Sequence, residues 1–319
     1  MTKIALTALA ETLPSTVPFV GPETQERAVG REFVARLGAN ESVFGPSPRA
    51  IAAMGHAASE VWKYGDPENY DLRQALAAHH GIDPGHIMVG EGIDGLLSYL
   101  VRLLVEPGTP VVTSKGGYPT FNYHVSGYGG VLHMVPYAAD HEDPATLIAK
   151  ARDVSAKMVY FANPDNPMGS WHNSDTVQAL IDAMPDTTLL VLDEAYVELA
   201  PADTAPVLRP ETENVIRMRT FSKAYGMAGA RVGYAIGPKS LITAFDKLRN
   251  HFGMSRISQA GALAALADQD YFNSVVENVG QSRRQITKIA EANGLSALPS
   301  AANFVAVDCG RDGNFARAV

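Results

Sequence analysis

The sequence predicts an α/β protein: a mainly parallel sheet sandwiched by helices, with a smaller α+β domain built from the two ends of the chain. Short apolar runs rich in β-branched residues recur at Pro110–Thr113, Val131–Val135, Met158–Ala162, Leu189–Leu192 and Val215–Thr220. Helical stretches such as Asp175–Ala183 separate several of them. Short buried strands alternating with helices give a parallel sheet covered on both faces. Polar residues also collect just past the ends of these runs, where open parallel sheets bind ligands.

The remaining elements follow in order. The first ten residues read as a mobile arm or short helix. Their apolar stretch is short, holds Thr7 and is followed by Glu11, unlike a secretory leader. Residues 11–30, rich in Pro, Thr and Gly, read as an extended arm. Leu72–His80 reads as a helix, His86–Val89 as a strand and Leu96–Val105 as an amphipathic helix. Arg231–Ile236 is a further strand. Leu241–Arg249, Ile257–Asp268 and Gln281–Ala292 are helices, and Asn303–Val307 is a strand of the second domain. The division expected is 1–44 for the arm and part of the small domain, 45–255 for the large domain and 256–319 for the rest of the small one. Asp312–Val319 begins a helix with no cap or stop, so the small domain is expected to be incomplete as given.

Bulk properties exclude several classes. A length of 319 residues suits one large or two modest domains with a full core. A net charge of −8 and no run of like charge argue against nucleic-acid binding. No apolar run reaches the roughly 18 residues that span a membrane. The single cysteine, Cys309, forms no internal disulfide and favours a reducing compartment, the cytoplasm. The nine histidines are scattered without ligand spacing, so no metal site is expected.

Four polar clusters carry the chemistry. Lys223 ends the run Val215–Phe221, with Ser222 before it and Arg231 eight positions later. A lysine becomes an imine-forming nucleophile when desolvated or set beside another cation, and a serine and an arginine suit a phosphate. Gly90-Glu-Gly92-Ile-Asp94-Gly95 is a glycine turn opening a helix, a place for an anion. It spells G-x-G-x-x-G, but no acid stands at the end of the next strand, which argues against a dinucleotide. Asn163-Pro-Asp-Asn166-Pro-Met-Gly169 is a rigid turn that aims the Asn166 amide. Leu189–Leu192 leads into Asp193-Glu-Ala-Tyr196. An aspartate at the end of a buried strand needs a partner, such as a protonated pyridine nitrogen, and Tyr196 can reach the same ring. An ATPase would need a phosphate loop that the chain lacks. One ligand satisfies all four clusters: pyridoxal 5′-phosphate.

On these motifs the chain resembles the fold-type-I pyridoxal-phosphate aminotransferases, and among them the histidinol-phosphate aminotransferase family, from about residue 36 to 308. Leu37-Gly-Ala-Asn40-Glu41, Tyr64-Gly-Asp-Pro, the segments 163–169 and 193–196, and Ser222-Lys223-Ala through Gly229-Ala-Arg231-Val-Gly carry the likeness. The resemblance implies that Lys223 is the Schiff-base lysine and proton shuttle, and that Asp193 keeps the ring nitrogen protonated. It implies that Asn166 and Tyr196 bind the 3′ oxygen, and that Gly92, Ile93, Asp94, Ser222 and Arg231 hold the phosphate. Phe121 matches the aromatic that stacks on the ring, with Tyr118 and Tyr123 as rivals. Tyr64 would reach the phosphate of a neighbouring subunit, which implies a homodimer with shared active sites. Asn40 is placed with the substrate.

The reaction implied is ping-pong transfer of an amino group from histidinol phosphate, or a similar amine or amino acid, to a 2-oxo acid such as 2-oxoglutarate. An aromatic amino-acid aminotransferase, a decarboxylase of the same fold and a non-catalytic cofactor-binding protein are the alternatives. Ile93, Gly95, Met168 and Ser42-Val43 depart from the family pattern. The family's carboxylate-binding arginine, from a C-terminal strand, has no counterpart before the chain stops.

Overall fold

The apolar runs become the strands of one seven-stranded sheet. They are β1 (Ile87–Gly90), β2 (Pro110–Ser114), β3 (Val131–Val135), β4 (Met158–Ala162), β5 (Leu189–Asp193), β6 (Val215–Thr220) and β7 (Gly233–Ile236). Their spatial order is β1-β7-β6-β5-β4-β2-β3. Neighbours from β3 across to β6 pair in parallel, and β7 is antiparallel to both β6 and β1. The computed structural model describes residues 4–15, 19–35 and 38–310.

Alternation along the strands divides the core. In β4, Met158, Tyr160 and Ala162 join one cluster and Val159 and Phe161 the other. The helices that cover the sheet are α3 (Pro48–Ala58), α4 (Tyr70–His80), α5 (Gly92–Leu104), α6 (Pro119–Gly127), α7 (Pro144–Asp153), α8 (Ser174–Ala183), α9 (Lys239–Ala244) and α10 (Arg256–Ala267). Leu96, Leu97 and Leu100 of α5 pack on the first face, and Leu147 of α7 with Leu180 of α8 on the second. Each such leucine contributes roughly 2 kcal/mol by leaving water. Asp143, Asn173 and Ser255 cap α7, α8 and α10 with side-chain oxygens. Among the described residues no helix is long and apolar enough to cross a membrane.

Several boundaries differ from the sequence reading. The arm is not simply extended: it holds two short helices, α1 (Ala8–Thr12) and α2 (Pro22–Val29). The second starts on Pro22 and ends on Gly30 at φ 75°, both standard helix punctuation. The expected helix Leu241–Arg249 is instead the end of α9 plus a 3₁₀ turn, Phe245–Lys247, which brings Phe245 into the core. The helix expected to begin at Gln281 is the second half of α11 (Gln269–Ala292), and it buries Val275, Val279 and Ala290. The strand expected at Asn303–Val307 contributes only Val307, in the two-residue strand β9 (Val307–Asp308) paired with β8 (Ser296–Ala297). The final segment, Asp312–Val319, lies outside the described residues.

Candidate active site

The sheet topology brings the polar clusters to one edge. β5 ends on Asp193, Asn166 lies in the loop after β4, and Ser222 and Lys223 follow the end of β6. β7 runs the opposite way, so Arg231, which precedes it, stands at that same edge. A cavity of ≈ 490 Å³ opens there. Lys223, Asp193, Asn166, Tyr196, Ser222 and Arg231 all line it, as do Asn40, Ile93 and Asp94.

Each side chain is held by local structure. Asp193 is 5% exposed. Its Oδ2 accepts from the Tyr160 hydroxyl at 2.6 Å and its Oδ1 from the Ala195 N–H at 2.9 Å. None of the ion pairs formed among the described residues includes it. Burial therefore pushes its carboxyl up to about 6. Lys223 Nζ donates to the carbonyls of Asn40 at 2.9 Å and Ala39 at 3.4 Å, and lies 5.3 Å from the centre of the Tyr196 ring. Burial, then the nearby Arg231 charge, bring its ammonium down to about 8. Tyr196 is buried, which pushes its phenol well up, and its hydroxyl accepts from Asn40 Nδ2 at 3.2 Å.

The anion end is a backbone cradle closed by an arginine. Gly92, at φ +77°, opens α5. A Cβ there would strike the Arg231 guanidinium. A Cβ on Gly233 would lie 2.8 Å from the backbone of Gly92 and Ile93, so only glycine lets β7 approach this turn. Arg231 has a left-handed backbone, φ 53°, and donates to Ser222 Oγ at 3.4 Å. Its Nη2 lies 3.7 Å from Asp94 Oδ2.

Two sequence assignments need comment. Phe121 does not reach the cavity. It is fully buried and stacks on Tyr160 at 4.6 Å, because α6 turns it into the core. Tyr118, its rival, lines the cavity and donates to Asp94 at 2.9 Å. The other rival, Tyr123, is half exposed and does not line it. Tyr64 is exposed and packs on Phe252, away from the cavity of its own chain.

Some residues escaped the sequence reading. Tyr160 orients Asp193; a tyrosine inside an apolar strand, whose hydroxyl must find a partner, was the available signal. Phe19 of the arm and Thr220 line the cavity, and Asn303 donates to the Asn40 carbonyl at 2.9 Å. Nothing in the local sequence marks Asn303.

Fold and site together define a class. Residues 33–317 match the family described as "Aminotransferase class I and II", and the chain belongs to it. Individual relatives narrow the branch. A crystal structure of histidinol-phosphate aminotransferase from Sinorhizobium meliloti, in complex with pyridoxal-5′-phosphate, is 58% identical. It superposes with a TM-score of 0.94 over 98% of this chain and 84% of that one. "Histidinol-phosphate aminotransferase 2" of Carboxydothermus hydrogenoformans is 33% identical over 93% of this chain and 83% of its own length. The histidinol-phosphate aminotransferase of an Anaeromyxobacter species is 36% identical over 92% and 81%. The chain falls among the histidinol-phosphate aminotransferases of that family.

Proposed function

We propose that this protein binds pyridoxal 5′-phosphate and transfers an amino group from histidinol phosphate to a 2-oxo acid such as 2-oxoglutarate. The observation that carries the reading is one cavity lined by a buried carboxyl without a cation, Asp193, and a lysine of lowered basicity, Lys223. The residues fit the cofactor. Gly92, Ile93, Asp94, Ser222 and Arg231 would take its phosphate, Asn166 and Tyr196 its ring oxygen, Asp193 its protonated nitrogen and Lys223 its aldehyde. Tyr118, rather than Phe121, is the aromatic that can face the ring.

When bound, the cofactor supplies an electrophilic carbon and a cationic ring that withdraws electrons from the substrate. The Tyr160 hydroxyl holds Asp193 Oδ2, and the carboxylate would pair with the protonated ring nitrogen. Lys223 Nζ, at about 8, can take and return a proton near neutral pH. Arg231 and the α5 turn would anchor the anionic end and so hold the reacting carbon at a constant distance from Lys223. Asn40, linked to both Tyr196 and Lys223, sits where the amino donor would enter.

The exposed Trp62, Tyr64 and Phe252 support a homodimer in which Tyr64 serves the partner's site. All seven strands of the large sheet lie within 45–255 and the β8–β9 pair outside it, which supports the division into a large and a small domain. A single cysteine suits the cytoplasm, which fractionation tests.

Loading with cofactor should give a yellow protein that converts histidinol phosphate, and Lys223→Ala should lose both colour and transfer. Preference for an aromatic amino acid, or release of carbon dioxide, would replace the substrate or the reaction. A wild type that takes up no cofactor ends the reading. Sedimentation tests the dimer.

A further inference from the structure

Beneath the loop that carries Asn166 lies a pair of acids unused so far. Glu142, just before α7, and Asp165, within the loop, are each 2% exposed. Both sit at the same loop, and each carboxyl acts electrostatically on the other. All four carboxyl oxygens accept hydrogen bonds. Glu142 Oε2 accepts from Ser114 Oγ at 2.6 Å and Oε1 from the Ala162 N–H at 2.9 Å. Asp165 Oδ1 accepts from the Tyr137 hydroxyl at 3.0 Å and Oδ2 from the Met168 N–H at 3.0 Å. None of the ion pairs formed among the described residues involves either acid. Two neighbouring buried carboxyls with no cation paired to either cannot both ionise without a large cost, so one of them keeps a proton.

We propose that Glu142 and Asp165 share one proton, and that this pair braces the loop 163–169 and so positions Asn166 at the cavity. The role of Asn166 rests on the proposed function; the shared proton does not. The brace is local. Met168 and Ala162 tie the pair to both ends of the loop, and Asn163 is fixed independently by His172 and Thr204. Asp165 is the residue immediately before Asn166, so displacement of its carboxylate carries the amide with it.

The neighbouring groups leave the proton to the pair. Burial holds Tyr137 and Tyr160 protonated. Burial also lowers His172, whose Nε2 meets the Glu142 carbonyl at 2.8 Å, so that ring is neutral at neutral pH. His141 packs on His172, and Asp143 is engaged as the α7 cap. Burial, with the neighbouring carboxyl, raises Glu142 above the ordinary carboxylate range, and burial does the same for Asp165. The folded chain thus keeps a proton that the unfolded chain loses near pH 4. Stability from this source falls as pH rises through the range between the two.

The test compares wild type with Asp165→Asn, Glu142→Gln and Asp165→Leu. In either amide variant an N–H replaces the shared proton and does not titrate. Thermal unfolding of cofactor-free protein from pH 5 to 9 should show each amide variant gaining on wild type by a few degrees as pH rises. A gap that stays constant with pH in both overturns the shared proton. Binding of pyridoxal phosphate itself, followed by absorbance, tests positioning. Asp165→Leu should weaken it about tenfold, but by less than about twofold in an Asn166→Ala background, because coupled residues are not additive. Equal losses in both backgrounds overturn the positioning role. A wild type that binds no cofactor sinks the proposed function and the positioning role with it, while the unfolding series still decides the proton.

Discussion

Replacing Asp193 by Asn should make the cofactor-free protein more stable and the loaded protein less so. The carboxyl is 5% exposed, accepts two hydrogen bonds and enters none of the ion pairs among the described residues. Its rise from 3.8 to about 6 corresponds, at 1.36 kcal/mol per unit, to about 3 kcal/mol lost by ionising it in place. The sign follows from proton binding. Between pH 4 and 6 the folded chain holds a proton that the unfolded chain has released, so stability falls as pH rises and the full cost stands above 6. An Asn keeps the shape and both contacts: its oxygen accepts from Ala195, and its amide donates to the Tyr160 oxygen. Asp193→Asn should therefore gain up to about 3 kcal/mol at pH 7.5 and nothing near pH 3.5, a rise in midpoint of roughly 5 °C for a chain of this size. Saturating pyridoxal phosphate should reverse the order, because the amide cannot hold a protonated ring nitrogen. Scanning calorimetry with and without cofactor measures both. No gain at pH 7.5 would refute the uncompensated buried charge. An undiminished stabilisation of the variant by cofactor would refute the pairing.

Other consequences are independent of that one. Labelling of Lys223 by pyridoxal phosphate and borohydride should rise through about pH 8, and Arg231→Leu should move that rise upward by removing a cation that favours the neutral amine. Mass spectrometry of the labelled peptide reads both. Gly92→Ala puts a methyl into the Arg231 guanidinium at a left-handed position. Cofactor affinity should drop at least about tenfold, or 1.4 kcal/mol. Tyr118→Leu should weaken cofactor binding with little change in melting temperature. Phe121→Ala should instead destabilise the fold by about 3–5 kcal/mol, since the ring is wholly within the core. Equilibrium denaturation with a binding titration separates the two.

The fold was legible because most strands of the main sheet are short apolar runs with a turn at each end, and the site because polar residues stand where those runs stop. What escaped depends on distance along the chain or on direction in space. The reversal of β7 cannot be seen in Gly233–Ile236 itself, yet it is what sets Arg231 beside Ser222. Tyr118 and Phe121 differ by three positions in one motif, and only the packing of α6 decides which faces the cavity. Tyr160 and Asp193 are 33 residues apart, and Asp165 and Tyr137 28 apart. Their partnership follows from strand order, which no local pattern encodes. The β8–β9 pair was least legible, since each strand has two residues and no periodicity.

The charge layout of the cavity narrows what can fill it. At one end Asp193 is harder to ionise than a free carboxyl, and Lys223 is harder to protonate than a free amine. Each signals an environment with too little opposite charge. Asp193, Asp94 and Glu41 ease the lysine only partly, and Asp94 meets Arg231 at 3.7 Å with both side chains well exposed, a pairing that water weakens. A neutral ligand would relieve neither end. A simple anion would satisfy Arg231 and the α5 turn but leave Asp193 uncompensated, and a simple cation would do the reverse. A molecule with a cationic nitrogen for Asp193, a dianionic group for Arg231 and a carbonyl for Lys223 would suit all three groups at once. That requirement, rather than any single motif, is the physical argument for the proposed match between these residues and a phosphorylated pyridine aldehyde.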